Sequence, residues 1–174
     1  RDAGCTGTFL NEVFQRCFRV AKRVRTDTGI GAGAVSLASA AYQTLCAELG
    51  TLAGKTVVLL GTGEIAGQMA KYLSSADVAR FCVVSRSFER AREFAAPHAA
   101  EAFAVDDLPA LLADADALVT ATSCPTAVVT PITVGSRSSR IAMVDLAHPR
   151  NIAPEVGDMP GVALHAIDDL KRKV

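Results

Sequence analysis

A short buried strand that runs directly into a glycine turn constrains this chain more than any other feature. Residues 56–60, Thr-Val-Val-Leu-Leu, form a β-branched and apolar run, as expected for a strand covered on both faces of a parallel sheet. Gly61, Thr62, Gly63, Glu64, Ile65 and Ala66 follow at once, a G-x-G-x-x-A pattern, and an apolar helical pattern opens inside it. Each position in such a turn has a physical task. Gly61 permits the sharp turn, Gly63 leaves room for a pyrophosphate against the backbone, and Ala66 lets helix and strand lie close. The helix start then offers free amide N–H groups and a positive dipole end to phosphate oxygens.

The rest of the chain repeats the same alternation. Further strands are expected at Phe81–Val84, Phe103–Val105, Ala117–Thr120, Ile141–Val144 and Val162–His165. Helices are expected at Ile65–Leu73, Phe88–Phe94 and Leu108–Ala113. That order predicts an α/β fold, a doubly wound parallel sheet of the Rossmann NAD(P)-binding type with right-handed crossovers. Ahead of it, Leu10, Val13, Phe14, Cys17, Phe18, Ala21 and Val24 mark one stripe of a helix over Thr8–Arg25. Small residues over Thr28–Gly33 break the pattern, and a second helix over Val35–Leu49 ends at Gly50. The expected organisation is a helical tail of a preceding domain at 1–30, the dinucleotide-binding domain at 31–166, and the start of a connecting helix at 167–174. With Arg1 in place of methionine, the chain reads as a fragment.

Half of the 174 residues are hydrophobic and the formal net charge is zero, so the chain can fold on a core but cannot grip nucleic acid by bulk charge. The basic cluster Arg16, Arg19, Lys22, Arg23 and Arg25 reads as a solvated helix face, the alternative being contact with a phosphate backbone. Cys5, Cys17, Cys46, Cys82 and Cys124 are odd in number and lack metal-ligand spacing, which predicts reduced thiols, a cytoplasmic setting and no metal site. Cys17, Cys46 and Cys82 are expected in the core. No apolar run is long enough for a membrane span.

The end of the second strand selects the dinucleotide. An NAD site usually carries an acidic residue there for the ribose 2′-hydroxyl. Here Ser85, Arg86 and Ser87 stand in its place, with Arg90 one turn on. A guanidinium pairs with a 2′-phosphate and serine hydroxyls can donate to it, so NADPH is the expected cofactor; otherwise Arg86 is an ordinary solvated loop residue. Thr120, Thr122 and Ser123 after the fourth strand, and Asp145 after the fifth, are candidates for the nicotinamide side, unless both segments are merely polar turns.

Taken together, these segments resemble glutamyl-tRNA reductase. The resemblance runs through Leu10-Asn11, Phe14-Gln15, Lys22 to Thr28, Ile30, Val35-Ser36, Gly61 to Glu64, Ser85 to Ser87, Glu89 to Ala91, Thr122-Ser123, Val144 to Ala147, Pro149 to Ile152 and Ile167 to Leu170. It implies an NADPH domain of an enzyme that reduces glutamyl-tRNA to glutamate-1-semialdehyde, the first committed step of porphyrin (tetrapyrrole) biosynthesis. It also implies a catalytic cysteine in another domain, which first takes up the glutamyl group as a thioester. A homodimer, tRNA recognition by other domains, and glutamate-1-semialdehyde aminotransferase as a partner for product transfer follow from the same resemblance. No residue of this chain matches the family's nucleophile, so none is assigned a catalytic role and the fragment alone is expected to be inactive. The surroundings of Cys5 do not carry the nucleophile motif, and Cys124, near where a nicotinamide would sit, is expected to be an inert loop thiol instead of a catalyst. The chain departs from the family pattern at Ser85, where Asn is usual, at Ala66, where Gly is usual, and at His148, where a small apolar residue is common; His148 is expected to have a surface or packing role. Two other readings are a shikimate-dehydrogenase-like NADP oxidoreductase domain, and a non-catalytic dinucleotide-sensing module.

Overall fold

The computed structural model describes residues 7–27 and 36–171. The chain divides into two compact units, residues 1–35 and residues 36–174. The readings at Cys5, over Thr28–Gly33 and at Val35 lie outside the described residues.

In the first unit the described residues form one helix, α1 (Thr8–Asp27). It has no other described element of its unit to pack on, and Phe9, Phe14, Phe18 and Val20 are exposed. Cys17 is exposed with them, contrary to the expectation of a core position. Arg16 pairs with Glu12 and Arg23 with Asp27 one helical turn apart, at 2.8 and 3.1 Å. Exposed pairs of this kind contribute about 0.3–0.5 kcal/mol each.

The second unit begins with α2 (Leu37–Leu49), which Ser36 caps by accepting a bond from the Ser39 N–H. Gly50, at φ 77°, ends it. Then come β1 (Thr56–Leu60), α3 (Glu64–Ser74), β2 (Arg80–Ser85), α4 (Phe88–Ala95), β3 (Glu101–Ala104), α5 (Leu108–Asp114), β4 (Ala117–Thr120), α6 (Pro131–Val134), β5 (Ile141–Asp145), β6 (Val162–Ala166) and α7 (Ile167–Lys171). All six strands are parallel, in the order β3-β2-β1-β4-β5-β6. This is the doubly wound order, whose direction reverses between β1 and β4.

Alternation along the strands feeds two cores. Val57, Leu59, Val83, Val119 and Val144 pack under α2, α3 and α4 with Leu45, Met69 and Leu73. Val58, Leu60, Cys82, Leu118, Ile141 and Met143 face the other way, toward Leu108, Leu112, Val134 and Val156. Each large side chain so covered contributes about 1.5–3 kcal/mol of transfer free energy. Burial holds the Cys82 thiol up at about 11, an inert core residue, whereas Cys46 is only half-buried.

The third strand lies earlier than its apolar residues suggest. β3 pairs Glu101–Ala104 with Cys82–Ser85, and Val105 opens a 3-10 turn instead of extending the strand. The Asp107 carboxylate accepts the Ala104 N–H at 3.1 Å and bends the chain there. As an edge strand, β3 is half-exposed, and its apolar run, Ala102 to Val105, continues past the point where pairing ends. The single-turn α6 is likewise set by local capping, with Thr130 accepting the Thr133 N–H ahead of Pro131.

Candidate functional site

Register brings the carboxyl ends of the strands side by side: Leu60 lies beside Val84 on one flank and Thr120 on the other, and Thr120 beside Asp145. The chain leaves β1 at Gly61, with φ at 126°. The Gly61 N–H donates to the Val84 carbonyl at 2.9 Å, and the Ala121 N–H to the Leu60 carbonyl at 2.8 Å. A Cβ added to Gly61 would lie 2.3 Å from the Ala121 carbonyl oxygen, so glycine is required by backbone angle and by space alike.

Gly63 is a different case. It caps α3 with an ordinary φ of −84° and, lacking a side chain, makes no cap bond to the first-turn amides. A Cβ there would meet no protein atom within 4 Å, so the space in front of the turn is free. Ala66 is completely buried behind it in the core, which holds α3 against the sheet. Among the described residues, the amide-rich start of α3 therefore faces open space with its donors uncommitted to a capping side chain.

A cleft of about 960 Å³ runs along these strand ends. It gathers residues read from three separate sequence segments: Gly61 to Ile65, the group Ser85, Arg86, Ser87 and Arg90, and the pair Thr122 and Ser123. Arg86 and Arg90 are exposed at the β2 end. Ser87 caps α4 by accepting the Arg90 N–H at 3.3 Å, and its own hydroxyl donates to Glu89 Oε2 at 3.0 Å. The proton expected for a phosphate is thus committed to Glu89. That carboxyl is held below its usual range, by its own backbone N–H first and by Ser87 second.

Thr120 and Asp145 do not line the cleft. Both are buried, and the Thr120 hydroxyl donates to Asp145 Oδ1 at 2.6 Å. Asp145 also accepts the N–H groups of Ala147, Asn151 and Ile152 at 3.0, 2.8 and 2.9 Å, so it shapes the loop after β5 from beneath. A fully buried carboxylate needs partners of this number.

Residues with no site role assigned from sequence also line the cleft, among them Leu37, Val105, Val128, Leu146, His148 and Ile167. Leu37 belongs to α2, far from any strand end in sequence, so only the tertiary fold reveals it; Ile167 opens α7 directly after the carboxyl end of β6. His148 is exposed and faces the cleft. Cys124 also lines it, with its thiol held below the ordinary range by the Thr126 N–H and hydroxyl and then by the charge of Arg86. Asn151, named in the sequence only as part of a run, is completely buried between the loops after β4 and β5.

Comparison with known proteins places this site in context. The family model for shikimate / quinate 5-dehydrogenase matches residues 43–173. A glutamyl-tRNA reductase of Thermus thermophilus is 40% identical over 174 residues, all of this chain and 45% of that protein. The chain thus spans less than half the length of the curated relatives it matches. Among solved structures, glutamyl-tRNA reductase from Methanopyrus kandleri superimposes with a TM-score of 0.73 at 36% identity, over 97% of this chain and 44% of that one. The nucleotide binding domain of glutamyl-tRNA reductase from Thermoplasma volcanium gives 0.64 at 25% identity, over 81% and 92%.

Proposed function

We propose, from a chain that belongs to the shikimate / quinate 5-dehydrogenase family and has glutamyl-tRNA reductases as its curated relatives over its whole length, that this is the segment of a glutamyl-tRNA reductase that holds NADPH. One observation carries the reading: an uncapped glycine turn and two arginines share a single cleft at the point where the sheet reverses direction.

The residues present fit the cofactor. Open space before Gly63 and the free first turn of α3 suit a pyrophosphate. Arg86 and Arg90, with no acidic residue in the Ser85–Ser87 segment, suit a ribose 2′-phosphate. Thr122, Ser123 and Cys124, beyond the β1/β4 switch point, form the wall for the nicotinamide half. When bound, NADPH supplies a hydride. This chain's part is to fix its orientation within a cleft that Leu37, Leu146 and Ile167 help to line.

The whole enzyme would reduce glutamyl-tRNA to glutamate-1-semialdehyde in porphyrin biosynthesis in the cytoplasm. Its nucleophile, tRNA contacts, dimer interface and any hand-over of product to an aminotransferase would lie with other segments. A shikimate-dehydrogenase-like domain is the second reading, favoured by the family match; the full-length relatives speak for the first. Fluorescence titration of the chain with NADPH and NADH tests the cofactor assignment. Tighter binding of NADPH is expected; equal affinities, or none for either, would overturn it.

A further inference from the structure

We infer that Asn151 is a positioning residue: through a buried side-chain amide it sets the wall on which the nicotinamide half of the cofactor lies. This rests on the reading that the cleft holds NADPH. Asn151 does not itself line the cleft and is completely buried. Its Oδ1 accepts the Thr122 hydroxyl proton, and its Nδ2 donates to the Cys124 carbonyl at 3.1 Å and toward the Thr126 carbonyl at 3.5 Å. Thr122 Oγ1 in turn accepts the Cys124 N–H at 3.0 Å. The backbone of Asn151 joins in, its N–H donating to Asp145 and its carbonyl accepting the N–H groups of Val128 and Val129 at 2.8 and 2.9 Å.

These bonds admit one arrangement. The Cys124 and Thr126 carbonyls can only accept, so the amide NH2 must face them; Oδ1 then faces Thr122, whose hydroxyl donates to it while accepting the Cys124 N–H. A group that both accepts and donates at this spot is needed, and an amide supplies both. Residues 121–128 belong to no helix or strand; the Asn151 side chain ties down the cleft-lining Thr122 and Cys124, and its backbone carbonyl holds Val128. Fully satisfied buried networks specify a single arrangement, and a preordered wall lowers the cost of fixing a flexible ligand. The adenosine half is held by a different set, Ser85 to Arg90 on the other side of the switch point.

The two halves give the test its resolution. Asn151→Ala and, as a milder change, Thr122→Val are titrated with NADPH and separately with adenosine 2′,5′-bisphosphate, which occupies only the adenosine half. Expected is a roughly ten-fold weaker Kd for NADPH, with the bisphosphate within about two-fold of wild type. A change in the emission of bound NADPH accompanies it, since the nicotinamide environment alters. If Asn151→Ala does not fold, Thr122→Val carries the comparison. Equal weakening of both ligands would show a general structural role and overturn the inference, as would unchanged binding of both. Failure of the unaltered chain to bind either ligand would instead overturn the NADPH reading, and this inference with it.

Discussion

Replacing Gly61 by alanine tests the geometry at the centre of the site. The new Cβ would lie 2.3 Å from the Ala121 carbonyl oxygen and 2.7 Å from its carbon, both backbone atoms. Ordinary contact requires about 3.5 Å, so Ala121 must retreat by about 1 Å. Ala121 is tied to Leu60 by its N–H, and loss of that bond costs about 1 kcal/mol. Holding alanine at a φ of 126° adds a further cost, of order 1–3 kcal/mol. The sum is about 2–4 kcal/mol, which for a domain of this size lowers the melting temperature by roughly 5–15 °C. Gly63→Ala is the matched control, because that position has open space and an ordinary φ. Alanine is a poorer helix cap than glycine, but the cost stays within about 1 kcal/mol. Its effect should fall on NADPH, which meets the added methyl. Urea unfolding of both variants, with cofactor titration of Gly63→Ala, separates the two roles. Unfolding of Gly61→Ala within about 1 kcal/mol of wild type would refute the close approach of β4 to the turn.

Arg86→Asp removes a cation beside the proposed 2′-phosphate and adds a repelling charge. NADPH affinity should fall about 10- to 100-fold with NADH little changed, as read by paired titrations; equal losses would refute the assignment. The Cys124 thiol, held low by Thr126 and Arg86, should be alkylated by iodoacetamide with a pH midpoint below that of a free thiol, and NADPH should protect it. Cys82, buried with its thiol near 11, should not react in the folded chain; mass mapping showing the reverse order would contradict this. The Glu101 carboxyl is held down mainly by its bond from Arg80, with Oε1 and Oε2 accepting at 2.9 and 2.8 Å. Because its folded value lies below the unfolded one, its contribution is present above the ordinary carboxylate range and is lost as pH falls through the folded value. With both side chains about half-exposed, that contribution is at most about 1 kcal/mol, and Glu101→Gln should remove this pH dependence from urea midpoints while leaving the fold intact.

The sequence by itself determined the layers, the parallel sheet and the glycine turn. Residues 56–60 are apolar at every position but the first, and only a strand covered on both faces needs that pattern; a glycine turn of fixed spacing follows it. β1 and β4 match the sequence reading residue for residue because burial is a local demand that each side chain records. β3 shifted because the ends of an edge strand are fixed by pairing with its neighbour and by the Asp107 bond, while the apolar run goes on to Val105.

For the site, tertiary structure decided which polar residues at the strand ends face the cleft. Thr120 and Thr122 look alike in sequence, two residues apart, yet the first is buried against Asp145 and the second lines the cleft. Likewise Asn151, about 30 residues downstream of the loop it anchors, is an unremarked amide until the β4–β5 pairing carries it there. A hydrogen-bond partner is chosen by distance in space, and composition and spacing along the chain hold no record of it.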